Sequence, residues 1–278
     1  MATFRLKQQV CIRATVTLAA MAVIGLGLSA IWPGPVMPLV TAVATALLLI
    51  AQSRVGRALE ERFHRNRWLP ADQRAMIRPL IKMLRPIRPL PPFTCWTITP
   101  REAHCLVSMT RDRKPRLVVE CGSGLSTLLL GYAMKRFGAG RVISVEHDPI
   151  FAGRTRELVN AHGLADVVQV VQAELMTSTL RDKSWQWYDT GRLPIDDPID
   201  LLFVDGPPGH LQPLSRYPAG PCLFDRLATR GLVVLDDALR DDEAVIVENW
   251  LKEFAQMKRL DDPDSQIPPR LAVLERAV

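Results

Sequence analysis

The chain has 278 residues, 48% of them apolar, and a formal charge of +6, enough for one large domain with its own core and an appendage. The charge is uneven: residues 1–13 hold Arg5, Lys7 and Arg13 with no acid, residues 53–91 hold ten Arg or Lys against three acids, and residues 92–278 hold 22 against 26. A basic N-terminal part flanking apolar sequence is a membrane-surface signal rather than a nucleic-acid patch, and five scattered cysteines without a C-x-x-C pair argue against a disulfide framework.

Ala14 to Ile31 is uncharged, the Trp32-Pro33-Gly34-Pro35 turn follows, and Val36 to Ala51 is again uncharged. As helices these runs span roughly 27 and 24 Å, just short of a hydrocarbon core of about 30 Å. Basic flanks on both sides put both ends in the cytoplasm, so residues 1–52 read as a membrane-anchoring helical hairpin inserted through residues 14–51. A cleaved signal peptide is the alternative, but Leu28-Ser29-Ala30 is a poor cleavage site and the second run would be unexplained. Burial of both runs in a soluble core or oligomer is a third reading.

Residues 53–92 read as a basic juxtamembrane region. Val55, Leu59 and Phe63 recur at near-helical spacing in a segment that either lies on an anionic membrane surface or forms a solvated linker. A helix is predicted over Ala71–Leu84, and the proline-rich Arg85–Pro92 forms a semi-rigid spacer. The catalytic domain is placed at 93–278.

In that domain Thr99-Pro100-Arg101-Glu102 has the form of a capping box and starts a helix running to about Arg111. Strands follow at Leu117–Glu120, Val142–Glu146, Val167–Val171, Ile199–Asp205 and Leu232–Asp236. Helices are predicted at Ser126–Phe137, Ile150–His162, Pro221–Thr229 and Asp241–Gln256, with a final antiparallel pair at Lys258–Leu260 and Leu271–Glu275. Apolar runs without alternation fit strands buried on both faces, and the β–α order implies a parallel sheet with helices on both sides. Trp185, Trp187 and Tyr188 fall in a polar insert, where they either line a substrate pocket or pin the insert to the domain.

Three motifs carry chemistry. Val118 to Thr127 ends a strand in Glu120, passes through Gly122 and Gly124 and opens a helix; glycines there let a ligand approach backbone and the free N–H groups of a helix start. Nicotinamide enzymes share that design, but their third glycine is Thr127 here. Glu146 ends the second strand 22 residues beyond Gly124, placed to accept the hydroxyls of a ribose. Asp205, in Val204-Asp205-Gly206-Pro207-Pro208-Gly209-His210, ends the fourth strand, and Asp236-Asp237 ends the fifth. All strand C-termini of a parallel sheet open on one crevice, so three carboxylates converge there.

These segments, with Arg216-Tyr217-Pro218-Ala219 and Leu235–Ala238 followed by Arg240 and Glu243, resemble the class I S-adenosylmethionine (SAM)-dependent methyltransferases over about Thr97 to Val278. The resemblance implies a Rossmann-like α/β fold. It implies that Glu120, Gly122 and Gly124 form the methionine-side SAM loop, that Glu146 holds the ribose, that Glu174 lies near the adenine and that Asp205 stands beside the transferring methyl. It further makes Asp205, Asp236 and Asp237 a candidate Mg²⁺ set, since hard oxygen ligands suit that ion. Asp205 and His210 are the candidate catalytic groups; His210 is also readable as a surface loop residue, and Asp236-Asp237 as partners of Arg240. The expectation is O-methylation of a small-molecule, glycan or lipid-linked acceptor by a domain facing the cytoplasm at the inner membrane, with a homo-oligomer left open. An NAD-dependent oxidoreductase and a non-catalytic membrane scaffold are the alternatives.

Overall fold

The computed structural model describes residues 69–138, 140–260 and 267–277. The chain divides into two units at His64/Arg65, and the described residues all lie in the second. The two uncharged runs and the juxtamembrane segment up to residue 68 fall outside the described residues. Among the described residues no helix is long and apolar enough to cross a membrane.

The elements are α1 (Ala71–Leu84), α2 (Pro100–Arg113), β1 (Leu117–Cys121), α3 (Leu125–Phe137), β2 (Arg141–Glu146), α4 (Pro149–Ala161), β3 (Val168–Gln172), β4 (Leu175–Leu180), β5 (Lys183–Tyr188), β6 (Ile199–Val204), α5 (Ala219–Leu223), β7 (Leu227–Leu235), α6 (Asp241–Glu253), β8 (Met257–Arg259) and β9 (Ala272–Arg276). Seven strands form one sheet in the order β3-β2-β1-β6-β7-β9-β8. The first five run parallel, and β9 pairs antiparallel with both β7 and β8. Strand order reverses between β1 and β6, which opens a crevice at their C-terminal ends.

Successive strand residues point to opposite faces, and both faces are covered. Val118, Val142, Leu201, Phe203 and Val234 pack with α2 and α3, whereas Val119, Ile143, Leu202 and Val233 pack with Ile246, Val247 and Trp250 of α6. Leu69, Leu80, Leu84 and Phe93, on either side of the stretch read as a spacer, are buried with the first group, and Leu90 within it packs against them. Tyr132 Oη accepts the Ile87 N–H at 3.1 Å and sits 2.8 Å from His162 Nδ1, fastening the proline-rich segment to α3.

Three local expectations change. Thr99 makes no side-chain cap; its hydroxyl donates to Gln73 Oε1 at 3.1 Å, and Glu102 is buried. The helix expected at Pro221–Thr229 shrinks to α5 and a 3-10 turn at Phe224–Arg226, because β7 already begins at Leu227. Phe224 anchors this turn, its ring 5.1 Å from Trp250 and 5.0 Å from Phe254. The polar insert is an antiparallel hairpin, β4–β5, turning at Arg181 and Asp182 with φ of 52° and 59°. Its aromatic residues Trp185, Trp187 and Tyr188 are buried in the core of the α6 face.

Candidate active site

Glu120, on β1, is fully buried. Its Oε2 accepts from the hydroxyls of Thr127 and Ser144, both at 2.6 Å, while Oε1 has no partner. Burial pushes this carboxyl up to about 7 against the hydroxyls of Ser126, Ser144 and Thr127. Thr127 Oγ1 also accepts the Gly124 N–H at 2.9 Å, so the residue replacing a third glycine ties the loop to the acid beneath it.

The loop geometry needs both glycines. Gly122 has φ +96° and donates its N–H to Val145 O at 2.9 Å; a Cβ there would lie 3.2 Å from the backbone of Asp205. Gly124 has φ +155°, and a Cβ there would meet nothing within 4 Å. That open side, at the start of α3, is where a ligand can reach the backbone.

Glu146 ends β2 and is 6% exposed. Its Oε2 accepts from Ser123 N and Ser123 Oγ, each at 3.1 Å; Oε1 accepts from His147 N at 2.9 Å and Asp148 N at 3.0 Å. Burial would raise this carboxyl, but the bonds from His147, Asp148 and Ser123 outweigh it and hold it below its usual range. Glu174 is exposed at the start of the hairpin. Tyr188, closing the hairpin, is buried with its hydroxyl unpartnered, and Gly206 has no room for a Cβ because that hydroxyl would lie 2.5 Å from it.

On the β6–β7 side, Asp205, Asp236 and Asp237 do come together, with one carboxylate oxygen of each within 4.8 Å of the others. Between them lies Arg216, 3% exposed. Its Nη2 stands 3.1 Å from Asp205 Oδ1, 3.2 Å from Asp205 O and 3.3 Å from Asp237 Oδ2; Nη1 donates to Asp236 O at 2.9 Å. Asp237, at φ +61°, also takes Arg270 Nη2 at 2.5 Å on Oδ1 and Arg240 Nη2 at 2.8 Å on Oδ2. Burial and the charge of Asp236 push Asp205 well above the usual carboxylate range, with Arg216 opposing. Burial and Asp237 raise Asp236 to about 6, and its Oδ1 has no partner. His210 is exposed, with no hydrogen bond or ion pair to the described residues.

Sequence reasoning thus placed the carboxylates and the pairing of Asp237 with Arg240, and missed the rest of what holds them. Ser123, Thr127 and Ser144 are small hydroxyls with no one-dimensional signal. Arg216 was visible only as part of a motif, and Arg270 lies far along the chain.

A family profile described as a methyltransferase domain matches residues 119–238. An arginine N(omega)-methyltransferase of Streptomyces achromogenes subsp. streptozoticus is 43% identical over 54 residues, which is 19% of this chain and 14% of that protein. The chain therefore spans only a small part of that curated relative. Among solved structures, a SAH-bound methyltransferase of Podospora anserina superposes with a TM-score of 0.50 at 16% identity, covering 82% of this chain and 96% of the other. The O-methyltransferase TomG of Streptomyces achromogenes, solved with SAM, gives a TM-score of 0.49 at 14% identity, covering 79% and 96%. The structural likeness is one of fold. Residues 119–238 are thus similar to a methyltransferase domain.

Proposed function

We propose that the chain transfers the methyl group of SAM to an oxygen of a small-molecule, glycan or lipid-linked acceptor, at the cytoplasmic face of the inner membrane. The observation that carries the cofactor site is the open side of Gly124, set between the buried Glu120, whose Oε1 lacks a partner, and Glu146 at the end of β2. These groups fit SAM: an unpartnered carboxylate oxygen suits its cationic amino-acid end, and a low-lying carboxyl suits a ribose diol. Glu146 would exchange its Ser123 bonds for the ribose hydroxyls. Glu174, exposed beyond β3, would face the adenine side.

SAM, when bound, supplies an electrophilic methyl for in-line displacement, so the protein's task is alignment and removal of the acceptor proton. Asp205 is the leading base: it follows β6 directly, keeps 20% of its side-chain surface exposed and is raised above the usual carboxylate range by burial and the charge of Asp236. His210 is the alternative base; from its exposed position it would act only after the loop moved. The three-aspartate Mg²⁺ set fits these donors poorly, because both Asp237 oxygens already accept from arginines. No step is routed through a metal.

Membrane anchoring rests on the uncharged runs within residues 14–51 and their basic flanks. The full chain should stay with membranes through carbonate washing and, in detergent, should transfer radiolabelled methyl from SAM to a component of a membrane-lipid or small-molecule extract. Gly124→Val should abolish that transfer. Label incorporated equally by wild type and variant would remove the reaction from this crevice, and recovery of the full chain in the wash would remove the anchor.

A further inference from the structure

We propose that the Arg216 guanidinium stands in for a divalent cation among Asp205, Asp236 and Asp237, so that the acidic cluster is assembled without a metal. The cluster has the dimensions of a metal site, its carboxylate oxygens lying within 4.8 Å of one another. An ion there would need oxygens at roughly 2.0–2.6 Å. Arg216 Nη2 fills the same space, 3.1 Å from Asp205 Oδ1 and 3.3 Å from Asp237 Oδ2, while Nη1 reaches Asp236 O at 2.9 Å and Glu243 Oε1 at 3.6 Å. One guanidinium thus gathers oxygens from the ends of β6 and β7 and the start of α6, as an ion would, and it keeps its charge at every working pH.

Charge balance points the same way. Asp205, Asp236, Asp237 and Glu243 face Arg216, Arg240 and Arg270, and at the edge of the cluster Glu102 is accompanied by Arg101. Three arginines thus offset most of the acidic charge of the cluster, and Glu120 adds a further carboxyl acting on Asp205. Asp237 is meanwhile closed to coordination, with Arg270 on Oδ1 and Arg240 on Oδ2. Arg216 is in this reading a positioning residue: it sets where the Asp205 carboxylate lies and opposes the burial and like charges that would keep it protonated.

The inference rests on the methyltransferase reading of the crevice only where turnover is measured; its cation arm needs no acceptor. Detergent-solubilised full-length protein, stripped with chelator, is titrated with Mn²⁺ and followed by electron paramagnetic resonance and by thermal unfolding, for wild type, Arg216→Ala and Arg216→Lys. Wild type and Arg216→Lys should bind no stoichiometric Mn²⁺ and keep the same Tm with or without chelator. Arg216→Ala should start from a lower Tm and gain one Mn²⁺ site between Asp205 and Asp236, the carboxylates no other arginine closes, its Tm rising by roughly 2–4 °C at a cation concentration about five times Kd. Once an acceptor is in hand, the acid limb of the rate–pH profile should move to higher pH in Arg216→Ala and return toward wild type in Arg216→Lys. A stoichiometric Mn²⁺ site in the wild type would overturn the proposal, and that arm decides even where Arg216→Ala does not fold. A folded Arg216→Ala with wild-type Tm and no cation response would overturn it as well.

Discussion

Glu120→Gln isolates a cost that the fold carries at the proposed cofactor crevice. Glu120 is fully buried, and its carboxyl is raised from an ordinary 4.5 to about 7. A carboxyl whose folded-state value lies above its unfolded value binds more protons when folded, so its contribution to stability is intact below pH 4.5 and is lost as pH rises through 7. At roughly 1.4 kcal/mol per pH unit the loss is about 3 kcal/mol between those limits. The glutamine keeps an oxygen for the hydroxyls of Thr127 and Ser144 but sets amide protons where Oε1 has no partner. That penalty, about 1–3 kcal/mol, does not vary with pH. The diagnostic quantity is therefore the change with pH of the stability difference between variant and wild type, in which the titrations of Asp205, Asp236 and the histidines cancel to first order. Urea unfolding from pH 4.5 to 8.5 should show the variant gaining about 3 kcal/mol on wild type across that range. A difference that stays flat with pH would refute the argument that this carboxyl is held in its acid form by burial. A cationic ligand group that pairs with Glu120 recovers the lost energy, so S-adenosylhomocysteine should raise the Tm of wild type more than that of the variant.

Gly122→Ala forces an L side chain to φ +96° and brings its Cβ to 3.2 Å from the Asp205 backbone; urea unfolding should show a loss of about 1–3 kcal/mol, and wild-type stability would mean that the β1 and β6 loops are not pinned together. His210→Ala removes an exposed side chain without partners among the described residues; stability should change by less than about 0.5 kcal/mol and SAM affinity should be unchanged, and a large loss of affinity would place His210 in the cofactor site.

The sheet was legible because its strands are buried on both faces: unbroken runs such as Leu117–Glu120 and Leu201–Val204 have one reading in a β–α alternation. The crevice was legible for a related reason, since parallel strands deliver their terminal acids to one edge, and Asp205, Asp236 and Asp237 do meet there. Legibility failed where tertiary packing sets the local outcome. Leu227–Leu235 carries the polar Thr229-Arg230-Gly231 inside a nine-residue strand, a pattern that reads as the end of a helix. For Trp185, Trp187 and Tyr188 the sequence leaves pocket lining and packing against the domain both open, and β4–β5 turns them into the core. Of the arginines around Asp237, Arg240 follows three residues later and was readable from that spacing, whereas Arg216 and Arg270 come from distant stretches that no spacing rule joins.

Calorimetric titration of S-adenosylhomocysteine into wild type and Glu146→Ala tests the cofactor crevice most directly. Wild type should bind one equivalent per chain, and loss of the charge-assisted bonds at Glu146 should weaken binding by about 1.5–3 kcal/mol, roughly 10- to 150-fold. Absence of binding to the wild type, or equal affinity in the two proteins, would contradict a SAM site at the ends of β1 and β2.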